Sequence, residues 1–591
     1  MFDRLKLVIL LLTSTALFAI GFSVQTRAQS NEMRQAFSQY QKSDGEGDAV
    51  ATLQHIMRFL EFAESEFGRS HSHYAAGLQF LANVYEKNGL MGDAILAYRH
   101  SLKISLKNNK SENEIVAASQ INLGAALKRS GLYFEAEEHY SRALVTFQKI
   151  HGPRSKEVAG AKNILALLMM DLGRYKNAAT LSLASLQIYE EMFPPDHSII
   201  ATGQNNLGLA LLKLGSFSEA REMFQRSLRS TKSLRGKVHP DLAISLNNLG
   251  LLFQELGNFI DAERLFQRSH AILSKFFGSD NPSIATALNN LGGLRMAKGQ
   301  YIDAESAYRR SLLILQSSQG LEHPDTANVL TNIALLYTRQ GRFAKAESFY
   351  KNSLGIKEKL LGPSHPSVSI TLNNLAELYV VQGRYHEAES LHWRSLEIGR
   401  QALGPMHSAV GRSLNNLASL FNIQRRHKEA LELHLRSLKI RKMALGPDHP
   451  DVALSLNNIA MVYSYQGRYE KALELHLRSI KIREKALGPD HPDLASSLNN
   501  IAFVHSRLDR NNEALELFQR SLAIRKKVLG LNHPDVAAGF SNIAFVLSDQ
   551  GLYEGALEHL RRATAIERRR FVGLGSKESK GLLSEQRDAR W

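Results

Sequence analysis

Apolar and polar residues alternate along this chain with two periods, one nested in the other. The short period is helical. Leu246, Leu249, Gly250 and Phe253 fall at i, i+3, i+4 and i+7, and Ala262, Leu265, Phe266 and Ser269 repeat the pattern further on. The long period is 42 residues and carries this pair of amphipathic helices, A and B, through twelve units over 72–575. An alanine ladder from Ala94 through Ala136, Ala178, Ala220, Ala262 and Ala304 to Ala556 holds one register in all twelve. A small side chain there predicts a close crossing of helix B over helix A, where a bulkier one would overpack.

The punctuation agrees with the helices. Gly257 lies between A and B, and glycine holds that register in ten of the twelve units, as suits a left-handed helix C-cap. Arg425 and Asp509 are the exceptions, and mild strain or a different turn is expected there. All 14 prolines lie in the linker before helix A, as in Gly446-Pro447-Asp448-His449-Pro450-Asp451. At the first helical turn a missing N–H costs nothing, and an acidic residue meets the positive end of the helix dipole. A weaker copy of the unit over 29–71 has Gly47 in register with Gly89 and Thr52 in place of the alanine, which predicts a degenerate N-terminal cap. The stretch 576–591, rich in Gly, Ser and charge, is expected to be disordered.

A helical wheel locates the face that helix A turns away from its core. With Leu246 at 0° and about 100° per residue, Leu249 falls at about 300°, Gly250 at about 40° and Phe253 at about 340°. Asn248 falls at about 200°, almost opposite, sharing an outward stripe with Ile244, Leu251 and Glu255, while Asn247 lies on the flank. The Asn248 register is asparagine in ten of eleven units from the second onward, including Asn206, Asn290, Asn332, Asn374, Asn416, Asn458 and Asn500. A primary amide offers donor and acceptor together, so such an array can grip a peptide backbone whatever its side chains. The alternative is a bond to the neighbouring repeat or simple solvation. For the flanking asparagines (Asn205, Asn247, Asn289, Asn373, Asn415, Asn457, Asn499) a bond between repeats is the expectation. The stripe also carries Leu209, Leu251, Leu335, Met461, Phe503 and Phe545. These are either a partner surface or a face that a tight superhelix covers itself.

Leu246, Leu249, Gly250, Phe253, Gly257, Phe259, Ala262, Phe266 and Ser269 stand where the signature of the tetratricopeptide repeat falls. The 42-residue length and the run Leu445-Gly-Pro-Asp-His-Pro-Asp-Val-Ala-Leu-Ser-Leu-Asn-Asn-Ile-Ala460 resemble the kinesin-light-chain subclass of these repeats. The resemblance implies an all-α, right-handed superhelical solenoid of stacked helix-turn-helix repeats, with helix A on the concave face and helix B on the convex one. It implies a protein that scaffolds partners or holds peptide segments in the groove. The peptide-binding set is then Asn206, Asn248, Asn290, Asn332, Asn374, Asn416, Asn458 and Asn500, with Leu251, Leu335, Met461 and Phe503. The motor partnership is not carried over, since no sustained heptad is present. Asn205, Asn247 and Asn289 stand where a first carboxylate-clamp lysine would, which disfavours recognition of acidic C-terminal tails.

Composition and charge narrow the chemistry. None of the 591 residues is cysteine, which excludes disulfides, thiol catalysis and thiolate metal sites. Residues 1–28 read as a bacterial export signal: basic Arg4 and Lys6, an apolar Leu7–Ile20, and a small-x-small site at Thr26-Arg27-Ala28. A periplasmic or secreted protein is expected, with an uncleaved N-terminal membrane anchor as the alternative. A histidine ladder (His239, His323, His365, His407, His449, His491, His533) repeats every 42 residues. Equivalent atoms of stacked repeats lie about 10 Å apart, whereas zinc needs its ligands within about 2 Å of one centre. Loop-structuring histidines are therefore expected, and His392, His434 and His476 fail the metal test likewise. The net charge of +16 gathers at the ends of helix B, as in Arg436, Lys439, Arg441 and Lys442 and their equivalents Arg478, Lys481, Arg483, Lys485, Arg520, Arg525, Lys526 and Lys527. These read as cations stabilising helix C-termini beside Glu432, Glu474, Glu484 and Glu516, rather than as a nucleic-acid or lipid surface. HExxH, GxSxG and phosphate-binding glycine motifs are missing, so no catalytic, cofactor or metal residues are assigned. The expectation is a non-catalytic binding scaffold. The alternative is the sensor part of a system whose caspase-like peptidase lies outside this sequence.

Overall fold

The computed structural model describes residues 30–108, 113–236 and 238–571; the export signal read at 1–28 and the tail at 576–591 lie outside the described residues. Among the described residues there are 26 helices and no strand, in consecutive helix-turn-helix pairs: an all-α solenoid. The unit dissected above is Pro240–Glu255 as helix A and Phe259–Phe277 as helix B. The weak N-terminal copy also forms a hairpin, Asn31–Glu46 and Ala49–Phe67, joined at Gly47 with φ 77. The chain gathers into two compact units. One runs to Leu172 with Asn177–Pro195 and Leu360–Gly362; the other comprises Gly173–Lys176, Asp196–Lys359 and the described chain from Pro363 on.

The histidine register is a helix N-cap. His239 Nδ1 accepts from the Asp241 N–H at 3.2 Å, with Pro240 opening the first turn. The same ring atom caps at His323, His365, His407, His449, His491 and His533, at 2.9–3.2 Å. Asn281 does the same work through its side-chain oxygen, at 2.9 Å. Each cap satisfies one of the N–H groups that a helix start leaves without a partner.

Helix A ends in a Schellman turn. Gly257, at φ 70, donates to Gln254 O at 3.0 Å, and Asn258 N–H donates to Phe253 O at 2.8 Å. Arg425 and Asp509 adopt the same left-handed conformation, at φ 62 and 58, with the same pair of bonds. The exceptions therefore carry strain and not a different turn. That conformation costs an L-residue about 1–2 kcal/mol, and glycine's extra freedom in the unfolded chain gives back about 0.5–1 kcal/mol. Arg425→Gly is expected to stabilise the fold by about 0.5 kcal/mol, and Asp509→Gly by less, because a short polar side chain tolerates the turn better. Urea midpoints check both.

Small residues let B approach A. Every alanine of the ladder from Ala94 to Ala514 is fully buried. Gly250 serves the same end from helix A, since a Cβ there would lie 2.6 Å from a carbon of the Phe266 ring. Ala304→Leu is expected to cost about 1–3 kcal/mol by overpacking; an unchanged melting curve would refute the close crossing. A buried serine then ties each B to its A. Ser269 Oγ donates to Ala243 O at 2.9 Å, and Ser227, Ser311, Ser353, Ser437, Ser479 and Ser521 repeat the bond at 2.6–2.8 Å.

The larger unit curves far enough to meet itself. His491 Nε2 donates to the backbone O of Glu255 at 3.1 Å, 236 residues earlier in the chain. Neighbouring repeats meet in the same way: a Cβ on Gly215 would come within 3.2 Å of His449, and one on Gly299 within 3.0 Å of His533. The capping histidines of late repeats thus rest on the turn glycines of early ones. One imidazole, with Nδ1 accepting and Nε2 donating, starts its own helix and closes this seam.

Candidate functional site: the outward stripe of helix A

The structure moves the asparagine register inward. Asn248, which the wheel sets almost opposite the core, is 3% exposed, and its Nδ2 donates to Asn205 Oδ1 at 3.3 Å. Asn332 donates to Asn289 at 2.8 Å, Asn458 to Asn415 at 2.9 Å and Asn500 to Asn457 at 3.2 Å, each in the preceding repeat. A wheel treats helix A as isolated; in a stack, neighbouring helices A close over much of the side opposite their own B. The amide donors therefore serve an inter-repeat ladder. Asn206, Asn290, Asn332, Asn374, Asn416, Asn458 and Asn500 remain half-buried.

The flanking asparagines bond between repeats, as expected, except that Asn247 Oδ1 is buried without a partner. Asn205 Nδ2 reaches Ser227 Oγ in its own helix B at 2.8 Å and Ser245 Oγ in the next helix A at 3.0 Å. Asn373 does the same with Ser395 and Ser413, at 2.6 and 2.9 Å. Each is a junction of three helices.

The apolar row divides. Leu251 and Phe253 pack with Val528 and Leu529 of a much later repeat against the Phe259–Ala262–Phe266 cluster, so there the superhelix covers its own stripe. Leu335 and Met461 are half-buried, while Phe503 and Phe545 stay open, 40% and 53% exposed. One turn along helix A, Val381, Ile423 and Tyr465 are exposed in three successive repeats. Glu377 occupies the Leu251 register and keeps 49% of its side-chain surface, yet burial around it pushes its carboxyl up to about 7. A group that is open to water and still desolvated has protein on several sides of it.

The basic ends of helix B are partly misread by composition. Arg441, Arg483 and Arg525 point inward and are 3%, 3% and 8% exposed. Arg483 Nη1 donates to Asp493 O at 2.6 Å and Ser497 Oγ at 2.7 Å at the start of the next helix A; Arg441 and Arg525 reach Asp451 O and Asp535 O likewise. Lys357 fills the same register beside Thr371 Oγ1 at 3.0 Å, and burial pulls it down to about 8. Their neighbours do stay outside: Lys485 pairs with Asp448, Lys527 with Asp490, and Arg520 with Glu484. His392, His434 and His476 are buried in helix B, where burial holds each at about 4. A buried cation leaves no mark in hydropathy that separates it from an exposed one; only the helix face it occupies could have found it.

The profile of the tetratricopeptide repeat matches the chain in ten overlapping stretches, from 115–191 to 493–569. No curated protein matches it. Similar solved structures include BtubC (BKLC) from P. vanneervenii, at 25% identity over 40% of this chain and 92% of that one, with a TM-score of 0.32. A chain named as a kinesin light chain of nearly identical TPR-like repeats, from Podosopora anserina, is 27% identical over 35% of this chain and 97% of its own, with a TM-score of 0.29. The apo form of RapI is 16% identical over 49% of this chain and 99% of its own, with a TM-score of 0.38.

Proposed function

We propose that this chain, which belongs to the tetratricopeptide repeat family, is a non-catalytic scaffold that holds peptide segments or partner proteins against the outward stripe of helix A. The observation that carries this reading is the run of exposed apolar side chains in register on successive repeats: Val381, Ile423 and Tyr465, with Phe503 and Phe545 beside them. Apolar surface aligned in this way is ordinarily covered by a partner. Alongside, half-buried Asn458 and Asn500 offer carbonyl oxygens to a ligand's N–H groups, their own N–H groups donating between repeats. The desolvation of half-open Glu377 supports a concave wall. The 42-residue units favour the kinesin-light-chain-like subclass, and the residues at 1–28 favour a bacterial exported protein.

Because the asparagine ladder ties repeats together, its removal would confound binding with folding. Val381→Ser, Ile423→Ser and Tyr465→Ser together change only exposed side chains of the stripe and provide the cleaner test, whereas Phe503 packs edge-on against buried Phe518. The combined variant should keep its circular dichroism and melting curve, and lose the partners that the wild type retains from the exported fraction. Equal retention would move the binding surface off this stripe. The mass of the purified natural protein tests the export signal.

A further inference from the structure

Through the larger unit, one register of the outward stripe reads Leu209, Leu251, Gly293, Leu335, Glu377, Ser419, Met461, Phe503 and Phe545. Glu377 is its one charged member. Among the described residues its carboxylate meets only the His392 ring, with Nε2 at 3.7 Å. His392 Nδ1 faces Asn373 Oδ1 at 3.0 Å, an acceptor, so the ring proton sits on Nδ1 and Nε2 carries a lone pair. Nε2 is buried without a hydrogen-bond partner, and burial keeps the ring neutral near pH 7. Whenever Glu377 is ionised, two acceptors therefore face one another with no donor between them. Arg339, on helix A of the preceding repeat, acts on Glu377 only through space and does not offset its desolvation. Ile370 and Val381 are exposed apolar side chains on the same helix, Ile423 and Tyr465 on the next two repeats, while exposed Arg339 holds the Val381 register on the preceding repeat. A carboxylate among apolar side chains with no cation in contact is costly until something supplies one.

We propose that the segment received by this wall carries a lysine or arginine flanked by apolar residues, and that Glu377 selects it as the ion-pair partner. This rests on the peptide-holding role proposed above. The chain as a whole carries +16, so its long-range field repels a cationic ligand and the selection must be local, in direct contact with Glu377.

The test pans a phage-displayed library of random dodecapeptides against the full chain, against Glu377→Gln and against Glu377→Lys. The wild type should enrich one Lys or Arg between apolar positions. Glu377→Gln should keep the apolar preference and lose the basic one, and Glu377→Lys should replace it by Asp or Glu. The best wild-type peptide, measured by fluorescence anisotropy, should bind Glu377→Gln about tenfold more weakly, as for loss of one charge-assisted contact. Melting curves of both variants should match the wild type or lie above it, since the side chain is half open and each replacement brings an N–H donor toward His392 Nε2. Wild-type peptides without basic enrichment, or an unchanged affinity in Glu377→Gln, would overturn the selection while leaving the groove standing. If the wild type selects no peptide at all, the peptide-holding role falls and this inference falls with it.

Discussion

Acidification from pH 7 to about pH 4 is expected to cost the fold on the order of 3 kcal/mol for each of three buried histidines, His392, His434 and His476. They are 0%, 1% and 1% exposed, and burial holds each at about 4. In the unfolded chain the imidazole titrates at about 6.5, and each unit of difference is worth about 1.4 kcal/mol. Between these values the unfolded chain binds a proton that the folded chain refuses. The contribution is thus complete above pH 6.5, declines as the pH falls, and is fully lost at about pH 4. The capping histidines act in the same direction. Burial lowers His449 and His491, and a proton on Nδ1 would turn the capping acceptor into a donor facing another donor. The chain itself supplies the control. In the register of His434 and His476 other repeats carry Phe266, Tyr308, Tyr350 and Phe518, all buried. Phe518 is accommodated by Ala502 on helix A, and Ala418 and Ala460 hold that position for the two histidines. Nor would phenylalanine strand a partner. His434 Nδ1 has none, and Asn457 Oδ1, which faces His476 at 2.8 Å, also accepts from Asn500 at 3.2 Å. His434→Phe with His476→Phe should therefore leave neutral stability nearly unchanged and remove about 6 kcal/mol of the acid loss. Urea midpoints at pH 7 and pH 4 decide it: parallel losses in wild type and variant would mean that these rings are not what acid attacks.

The helices, their boundaries and the close crossing were legible because each is enforced locally and then repeated. Ala304 must be small, Gly257 must turn left-handed, and Pro450 can only stand at a helix start. The histidine register was legible as structural, but its atomic role was not, because a ring nitrogen capping a helix looks in sequence like any polar loop residue. What escaped depends on how repeats stack. Asn248 is buried by its neighbours and not by its own helix. Leu251 is covered by residues near 528 through a curvature that leaves no periodic trace. Glu377 carries no mark in sequence that separates it from a glutamate such as Glu432; only what surrounds it does. On the candidate face the register was legible and the packing was not: asparagines turn toward each other, and exposed apolar side chains lie at Val381, Ile423 and Tyr465.

The buried arginine column gives the other large effect, and its sign depends on the replacement. Arg483→Ala is expected to destabilise by about 3 kcal/mol, the cost of deleting a large side chain from a close-packed interior. The charge itself is another matter. Arg483 has no carboxylate in contact, its Nε is buried without a partner, and burial lowers its pKa despite Asp493 and Asp451 acting through space. Desolvating such a cation can outweigh what its hydrogen bonds return, and well-packed apolar replacements of buried charges are often neutral or stabilising by about 1–4 kcal/mol. Two other repeats already contain that replacement. In this register stand Leu273 and Leu315, both buried, and opposite Leu315 the place of Ser497 is taken by buried Val329. Arg483→Leu alone should cost about 1–2 kcal/mol, since it leaves Ser497 Oγ facing an apolar neighbour. Arg483→Leu with Ser497→Val should return to wild-type stability or exceed it. The Asp493 carbonyl is not orphaned by the change, because it lies in the first turn of helix A, where it can accept from the N–H four residues on. If the double variant is instead the less stable by more than the sum of its single changes, the buried guanidinium is a net stabilising tie between repeats. The arginines at 441, 483 and 525 would then be what holds the late repeats in register.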